Sequence, residues 1–182
     1  MPTLGTKRMM DRMSYQNNKR ARLNREIARR YPKPEAKFVT KSVAHSSTTE
    51  SSTFINSVAN GPDNGERVGR KTKTLYCEAT LLGTSAAYRV ILYLSKNGST
   101  TLSLTNLSDL VDPEKFVVFK DYWVTNQGNG AATKMKHSFK YGINTEYDGV
   151  NNSDIEDGQL VLYIRSNTDT IAGQTRAWYV DN

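Results

Sequence analysis

The chemistry open to this chain is that of concentrated positive charge. Residues 1 to 41 hold twelve basic side chains (Lys7, Arg8, Arg12, Lys19, Arg20, Arg22, Arg25, Arg29, Arg30, Lys33, Lys37 and Lys41) against three acids (Asp11, Glu26 and Glu35), a net of +9. Residues 42 to 182 hold thirteen basic and fifteen acidic groups, so the formal +7 of the whole chain comes from its first quarter. Charge at that density cannot be buried, and its natural counterion is a polyanion; nucleic acid comes first and an anionic membrane second. A second cluster, Arg67, Arg70, Lys71 and Lys73, places four charges within seven residues of an otherwise slightly acidic body. Without a partner these would repel one another. Two readings stand side by side for them: a patch facing nucleic acid, or ion pairs to acids of a neighbouring subunit.

Catalytic chemistry finds little to work with. His45 and His137 lie in separate strand-like runs with no nucleophile motif beside them, and neither a Gly-x-Ser-x-Gly elbow nor a Walker loop occurs. No enzymatic activity is expected. Asp154, Glu156 and Asp157 offer oxygen ligands that would suit Ca²⁺ held between subunits, but their loop lacks EF-hand spacing, so a solvated acidic turn and no cofactor are expected. Cys77 is the single cysteine, which rules out an intramolecular disulfide and leaves zinc without a thiolate cluster. In a strand-like run it is expected to be a small buried hydrophobe. Tyr122, Trp123, Trp178 and Tyr179 could stack on bases. Their alternation with polar residues favours core or intersubunit packing instead.

The elements that must carry these groups divide into an arm, residues 1–35, and a body, residues 36–182. From Ser14 to Tyr31 the arm has no Gly or Pro, and Leu23, Ile27 and Tyr31 recur at helical spacing until Pro32. An isolated helix of that length with like charges on one face is marginal in water. The expectation is disorder alone and helix on a polyanion. Lys19, Arg20 and Arg22 have the density of a nuclear import signal, which would engage a host import receptor. No apolar run approaches the roughly 18 residues that span a bilayer, and the N-terminus lacks the apolar core of a signal peptide, so no membrane insertion and a cytosolic or nuclear setting are expected.

The body changes to short β-rich runs separated by turn residues: 37–44, 53–58, 73–82, 87–95, 116–124, 134–143, 159–166 and 174–180. Between Thr101 and Val111 four leucines with Ser108 and Asp109 suggest at most a short helix before Pro113. Eight strands with no long helix predict an all-β sandwich or barrel, and eight is the number in a jelly roll. An immunoglobulin-like sandwich or a closed eight-stranded barrel fits the same count.

From about Asn64 onward three stretches resemble the coat proteins of plant-infecting circular single-stranded-DNA viruses, of geminivirus type. Glu66-Arg67-Val68-Gly69-Arg70-Lys71, leading into Leu75 to Leu82, resembles a basic Arg-Val-Gly-Lys-Arg step into a central strand, and Tyr88 to Lys96 resembles the strand that follows. Met135 to Gly149, with Lys136, Phe139, Lys140 and the closing Tyr147-Asp148-Gly149, is similar to a basic and aromatic segment of that family. The tail, Asp157 to Ile164 followed by Arg176-Ala177-Trp178-Tyr179-Val180-Asp181, resembles its final strand pair.

The resemblance implies an eight-stranded jelly-roll capsid protein in a homo-oligomeric icosahedral shell, with a basic N-terminal arm turned inward on a single-stranded DNA genome. The chain is shorter than that family and shows no Cys/His zinc element, which favours a small simple shell similar to those of nanoviruses and satellite viruses, of sixty copies (T=1). In such a shell, sixty copies of residues 1–41 at +9 each balance roughly 500 phosphates. The implied localisation is the virion, with the host nucleus during assembly. Two alternatives remain: a satellite-type coat protein packaging single-stranded RNA, and a non-assembling cellular nucleic-acid-binding β-domain. The second would need basic and aromatic residues interleaved on one sheet face.

Overall fold

The computed structural model describes residues 35–46, 50–61, 65–83, 87–96, 101–125, 132–151, 154–166 and 170–181. The arm lies outside the described residues, and with it the candidate contacts Lys7, Arg8, Arg12, Lys19, Arg20, Arg22, Arg25, Arg29, Arg30 and Lys33 and the helical reading of 14–31.

The described residues form nine strands and no helix: β1 (Lys37–His45), β2 (Glu50–Phe54), β3 (Lys71–Gly83), β4 (Ala87–Ser95), β5 (Phe116–Thr125), β6 (Ala132–Tyr147), β7 (Ile155–Asp157), β8 (Leu160–Ser166) and β9 (Ile171–Asp181). They build two antiparallel sheets, β1-β9-β3-β6-β7 and β2-β8-β4-β5. Alternation along each strand sends one set of side chains inward, where Val43, Cys77, Ala79, Leu81, Met135, Phe139, Ile171 and Ala177 of the first sheet meet Tyr88, Val90, Leu92, Leu160, Leu162 and Ile164 of the second. The protein is thus a β-sandwich. Cys77 is fully buried in this core, and burial pushes its thiol up to about 12, with Glu78 adding to the effect.

The two sheets differ on their outer faces. Residues 101–115 fold back over the four-stranded sheet, so that Leu102 and Leu104, with Phe116 of β5, pack with Ile91, Tyr93, Val161 and Tyr163 in a second core. That explains why β4 and β8 are near-continuous apolar runs instead of alternating ones: both of their faces are covered. The segment is fixed by side chains that reach out of the sheet. Tyr93 Oη accepts from the Leu102 amide at 2.9 Å, Tyr163 Oη accepts from the Leu104 amide at 3.2 Å, and Arg165 donates to the Thr105 carbonyl at 2.8 Å. The outer face of the five-stranded sheet has no such cover among the described residues.

Four expectations change. A ninth strand, β7, adds to the edge of β6, where Glu146 and Tyr147 pair with Asp157 and Ile155. The second strand occupies Glu50–Phe54 and not 53–58, because from Ile55 the chain turns inward to bury Ile55, Asn56, Ser57 and Val58. Residues 101–104 are extended and 105–108 bend through a turn, with no helix between 101 and 111 and with Leu102 and Leu104 both turned onto the sheet. Finally, β3 and β6 run several residues longer than their apolar patterns, through a register shift between Thr74 and Tyr76. β9 lies between β1 and β3, paired on both sides.

Candidate nucleic-acid interface

The shift in β3 decides what the bare face presents. Thr72 and Thr74 point inward, Leu75 is the extra residue, and Cys77, Ala79 and Leu81 point inward again, so Tyr76, Glu78 and Thr80 all emerge on the outside. β9 contributes Arg176 and Trp178 to the same face, with Ala177 and Tyr179 buried beneath, as alternation predicts. β6 contributes Lys134, Lys136, Ser138 and Lys140 between the inward Met135 and Phe139.

Register brings these residues into rows. Trp178 lies opposite Phe38 of β1 and Tyr76 of β3; the next row holds Thr40, Arg176, Glu78 and Lys136, and the one after it Ser42, Gln174, Thr80 and Lys134. The Trp178 ring sits 5.0 Å from Tyr76 and 6.4 Å from Phe38, both tilted. Arg176 lays its guanidinium 5.1 Å from the centre of the Phe38 ring and 5.6 Å from that of Trp178. Further along β6, the Lys140 ammonium lies 5.1 Å from the ring of Tyr141, which is 77% exposed. Lys134, Lys136, Lys140 and Arg176 thus share this surface with the carboxylate of Glu78, and the Lys71–Glu146 pair lies further along the same face.

Aromatic faces set beside cations are what an unpaired polynucleotide strand needs, with bases on the rings and phosphates on the ammonium and guanidinium groups. Lysines two residues apart on one strand face stand roughly 6.7 Å apart, forming a row of positive charge along the sheet. A shallow trough between the rows is floored by Thr40, Glu78, Thr80 and Gln174 and walled by Arg176. From the sequence, packing is favoured over base stacking for Trp178, and none of these four cations is a candidate contact. Alternation gave their facing within each strand; register across strands brings them together.

The four residues of the second basic cluster take separate places. Arg67 is 1% exposed. Its Nε donates to the Val58 carbonyl at 3.0 Å, its terminal nitrogens donate to the carbonyls of Gly69 and Gly149, and its guanidinium lies 4.0 Å over the Tyr147 ring. A guanidinium so engaged has no face left for a phosphate, so the expectation of a surface contact does not fit Arg67. Its role is to tie Val58 and Gly69 to the 147–149 turn, where Tyr147 in turn donates to the Asn56 carbonyl at 2.7 Å. Lys71 is paired with Glu146 across the β3–β6 ladder. Lys73 runs its alkyl chain against Gly142. Arg70 is exposed. The ion pair of Lys71 is made within the chain, which differs from the intersubunit pairing considered for this cluster.

Neither histidine lies in a catalytic arrangement with the other. His137 packs against Phe119 and Phe139, at 5.4 and 4.7 Å between ring centres; burial, and then the charge of Lys120, hold it below the usual histidine range. His45 Nδ1 lies 3.1 Å from Ser51 Oγ. Among the described residues no three His, Cys, Asp or Glu side chains gather as a metal site. Asp154 turns into its own loop to accept from the Asn151 amide at 2.9 Å, while Glu156 and Asp157 are exposed on β7. No family model matches this chain, and no curated protein matches it.

Proposed function

We propose that this chain is a viral coat protein that assembles into a small icosahedral shell and packages single-stranded DNA, with the basic arm and the outer face of the five-stranded sheet both contributing to genome binding. The observation that carries the nucleic-acid part of the proposal is the interleaving of Trp178, Tyr76 and Phe38 with Arg176, Lys136 and Lys134 on a sheet face left uncovered among the described residues. Strand order supports the jelly-roll part. With the short β7 set aside, β1-β9-β3-β6 faces β2-β8-β4-β5, and the chain changes sheet at every connection except the one from β4 to β5. Two Greek keys wound in that way make a jelly roll. Its sealed and bare faces give a subunit two sides of different character. The mechanism is multivalent: weak lateral contacts multiplied by closed symmetry, with phosphate neutralisation gathering subunits on one strand. The import reading of Lys19, Arg20 and Arg22 and passage through the host nucleus belong to this proposal.

Deleting residues 1–34 tests it. Micrographs should show particles from full-length and shortened chains, with the absorbance ratio at 260 and 280 nm falling in the shortened one but staying above that of bare protein, because the sheet face remains. Nuclease sensitivity of the contents separates DNA from RNA. The same interleaved face also favours a second reading, a single-strand-binding β-domain that does not assemble. A monomer mass for nucleic-acid-free protein at every concentration, with full DNA affinity, selects it.

A further inference from the structure

Glu78 is out of place on a face that gathers phosphates. Phosphate oxygens repel a carboxylate, yet this one stands in the middle of the sheet, with Arg176 of β9 and Lys136 of β6 directly opposite it on either side. An acid that served only to balance charge would pair with one of them, as Glu146 does with Lys71 further along the same two strands. Glu78 does not. Among the described residues its carboxylate makes no ion pair and accepts no hydrogen bond. Arg176 instead lays its guanidinium by the rings of Phe38 and Trp178. The side chain is half-buried, and a hollow lies on either side of it: one of about 120 Å³ toward Thr40, Gln174 and Arg176, the other of about 160 Å³ toward Lys134 and Lys136.

An unpaired acceptor in that position calls for a donor, and the donor a polynucleotide offers is the edge of a base. The rings of Tyr76 and Trp178, 5.0 Å apart, stand one row along the sheet, roughly 6.7 Å away. A base resting on that pair brings its edge to the Glu78 row. Of the four bases, guanine alone carries two neighbouring donors on its Watson–Crick edge, N1–H and the N2 amino group, and these match the two oxygens of one carboxylate. Its O6, next in line, is an acceptor that suits the ammonium of Lys136. Adenine and cytosine present one amino group beside a ring-nitrogen acceptor, which a carboxylate repels, and thymine presents its N3–H between two carbonyls. In a duplex the same edge of guanine is occupied by cytosine, so only an unpaired strand can offer it.

We propose that Glu78 reads guanine in single-stranded nucleic acid: N1–H and the N2 amino group donate to the two carboxylate oxygens, Lys136 donates to O6, and the base rests on Tyr76 and Trp178. The inference rests on the nucleic-acid part of the function proposed above, and gives that face a preferred base.

Titration of the full chain, freed of nucleic acid by nuclease, against labelled single strands of about twelve nucleotides at one salt concentration tests it. Three strands differ at a single central position in a thymine background: thymine, guanine, or hypoxanthine, which is guanine without its N2 amino group. The basic arm contacts phosphates alike in all three, so the ratio of affinities isolates the base. The guanine strand should bind at least about fivefold more tightly than the thymine strand, with hypoxanthine between them. E78Q should bring the ratio of guanine to thymine to within about twofold while holding the thymine strand at least as tightly as the parent does, because a negative charge has gone. A parent ratio near one overturns the proposal, as does a hypoxanthine strand bound as tightly as guanine, a comparison that needs no substitution. A preference that survives E78Q in protein with an unchanged circular dichroism spectrum also overturns it. The reading of the face fails separately: thymine-strand binding unchanged by both W178A and R176Q removes the face and the contact together, whereas binding weakened by W178A with a parent ratio near one keeps the face and refutes the guanine contact.

Discussion

Arg89 grips both carboxylate oxygens of Asp121, Nε to Oδ1 at 2.8 Å and Nη2 to Oδ2 at 2.7 Å, and turns its third nitrogen to the carbonyls of Leu107 and Asp109 at 2.7 and 2.6 Å. The hydrogen bonds to Asp121 hold the guanidinium above its usual range against the opposing effect of burial. One side chain thereby joins β4, β5 and the segment that seals the four-stranded sheet.

D121A should leave that guanidinium, 5% exposed, without its anion. Breaking a buried pair by removing one partner costs about 3–5 kcal/mol, and the solvent access of Asp121 places the expected loss at the lower end. D121N keeps one acceptor oxygen and should lose less. Urea unfolding of the three proteins checks the order, and equal stability of D121A and the parent would refute it.

Acid should loosen the same segment. Glu50 Oε2 accepts from the Leu104 amide at 3.1 Å and from Tyr163 Oη at 2.8 Å. Burial alone would raise its pKa, but bonds from Tyr163, Ser103 and the Leu104 amide, with the charge of Arg165, bring it below the ordinary 4.5. A carboxylate depressed in the folded state stabilises it fully above the unfolded value, and that contribution is lost as pH falls through the folded one. Thermal midpoints followed from pH 6 downward should therefore begin to fall below about pH 4.5 in the parent more steeply than in E50Q. Parallel curves would contradict the role given to Glu50.

On the bare face, W178A should weaken binding of single-stranded DNA by about 1–3 kcal/mol at fixed salt, the worth of one stacked base. R176Q should instead lower the log–log salt slope by about 0.7 for its one phosphate. Titrations at several salt concentrations separate the two effects. Binding unchanged by both substitutions would remove this face from the interface.

Two glycines with positive φ should respond differently to alanine. At Gly158, φ 74°, an added Cβ would stand 1.9 Å from the Asn144 carbonyl oxygen, whereas at Gly69, φ 93°, it would meet nothing within 4 Å. G69A carries only the left-handed penalty of about 1–2 kcal/mol. G158A adds a backbone collision costing about 1–3 kcal/mol more. Denaturant midpoints of the two variants give the comparison, and similar losses would contradict it.

Strand existence was legible because seven of the eight long strands keep an apolar pattern between turn residues. β7 was not: Ile155 is its one apolar residue, and only β6 beside it makes the segment a strand. Leu102, Leu104, Leu107 and Leu110 carry period-two and period-three spacings at once, and the sheet beneath chose the first. Arg67 resembles any surface arginine until the nearby carbonyls of Val58 and Gly69 and that of Gly149, 82 residues along the chain, converge on it. The candidate interface was hidden for a different reason. The bulge in β3 resets which residues share a face, and a bulge leaves no mark in an apolar pattern until both strands of the pair are known.

The sealing segment has a consequence for how the protein breathes. The Leu102 and Leu104 amides donate to side-chain oxygens and not to a ladder, so 101–111 can lift away without breaking a single backbone pair between β4 and β8. Native-state hydrogen exchange should then divide into two tiers. Leu102 and Leu104 should exchange through a sub-global opening, and Ile91, Tyr93, Val161 and Tyr163 only through global unfolding. Each such opening bares a second apolar layer while the sandwich beneath stays folded, a partly open state whose population the Arg89 clamp sets.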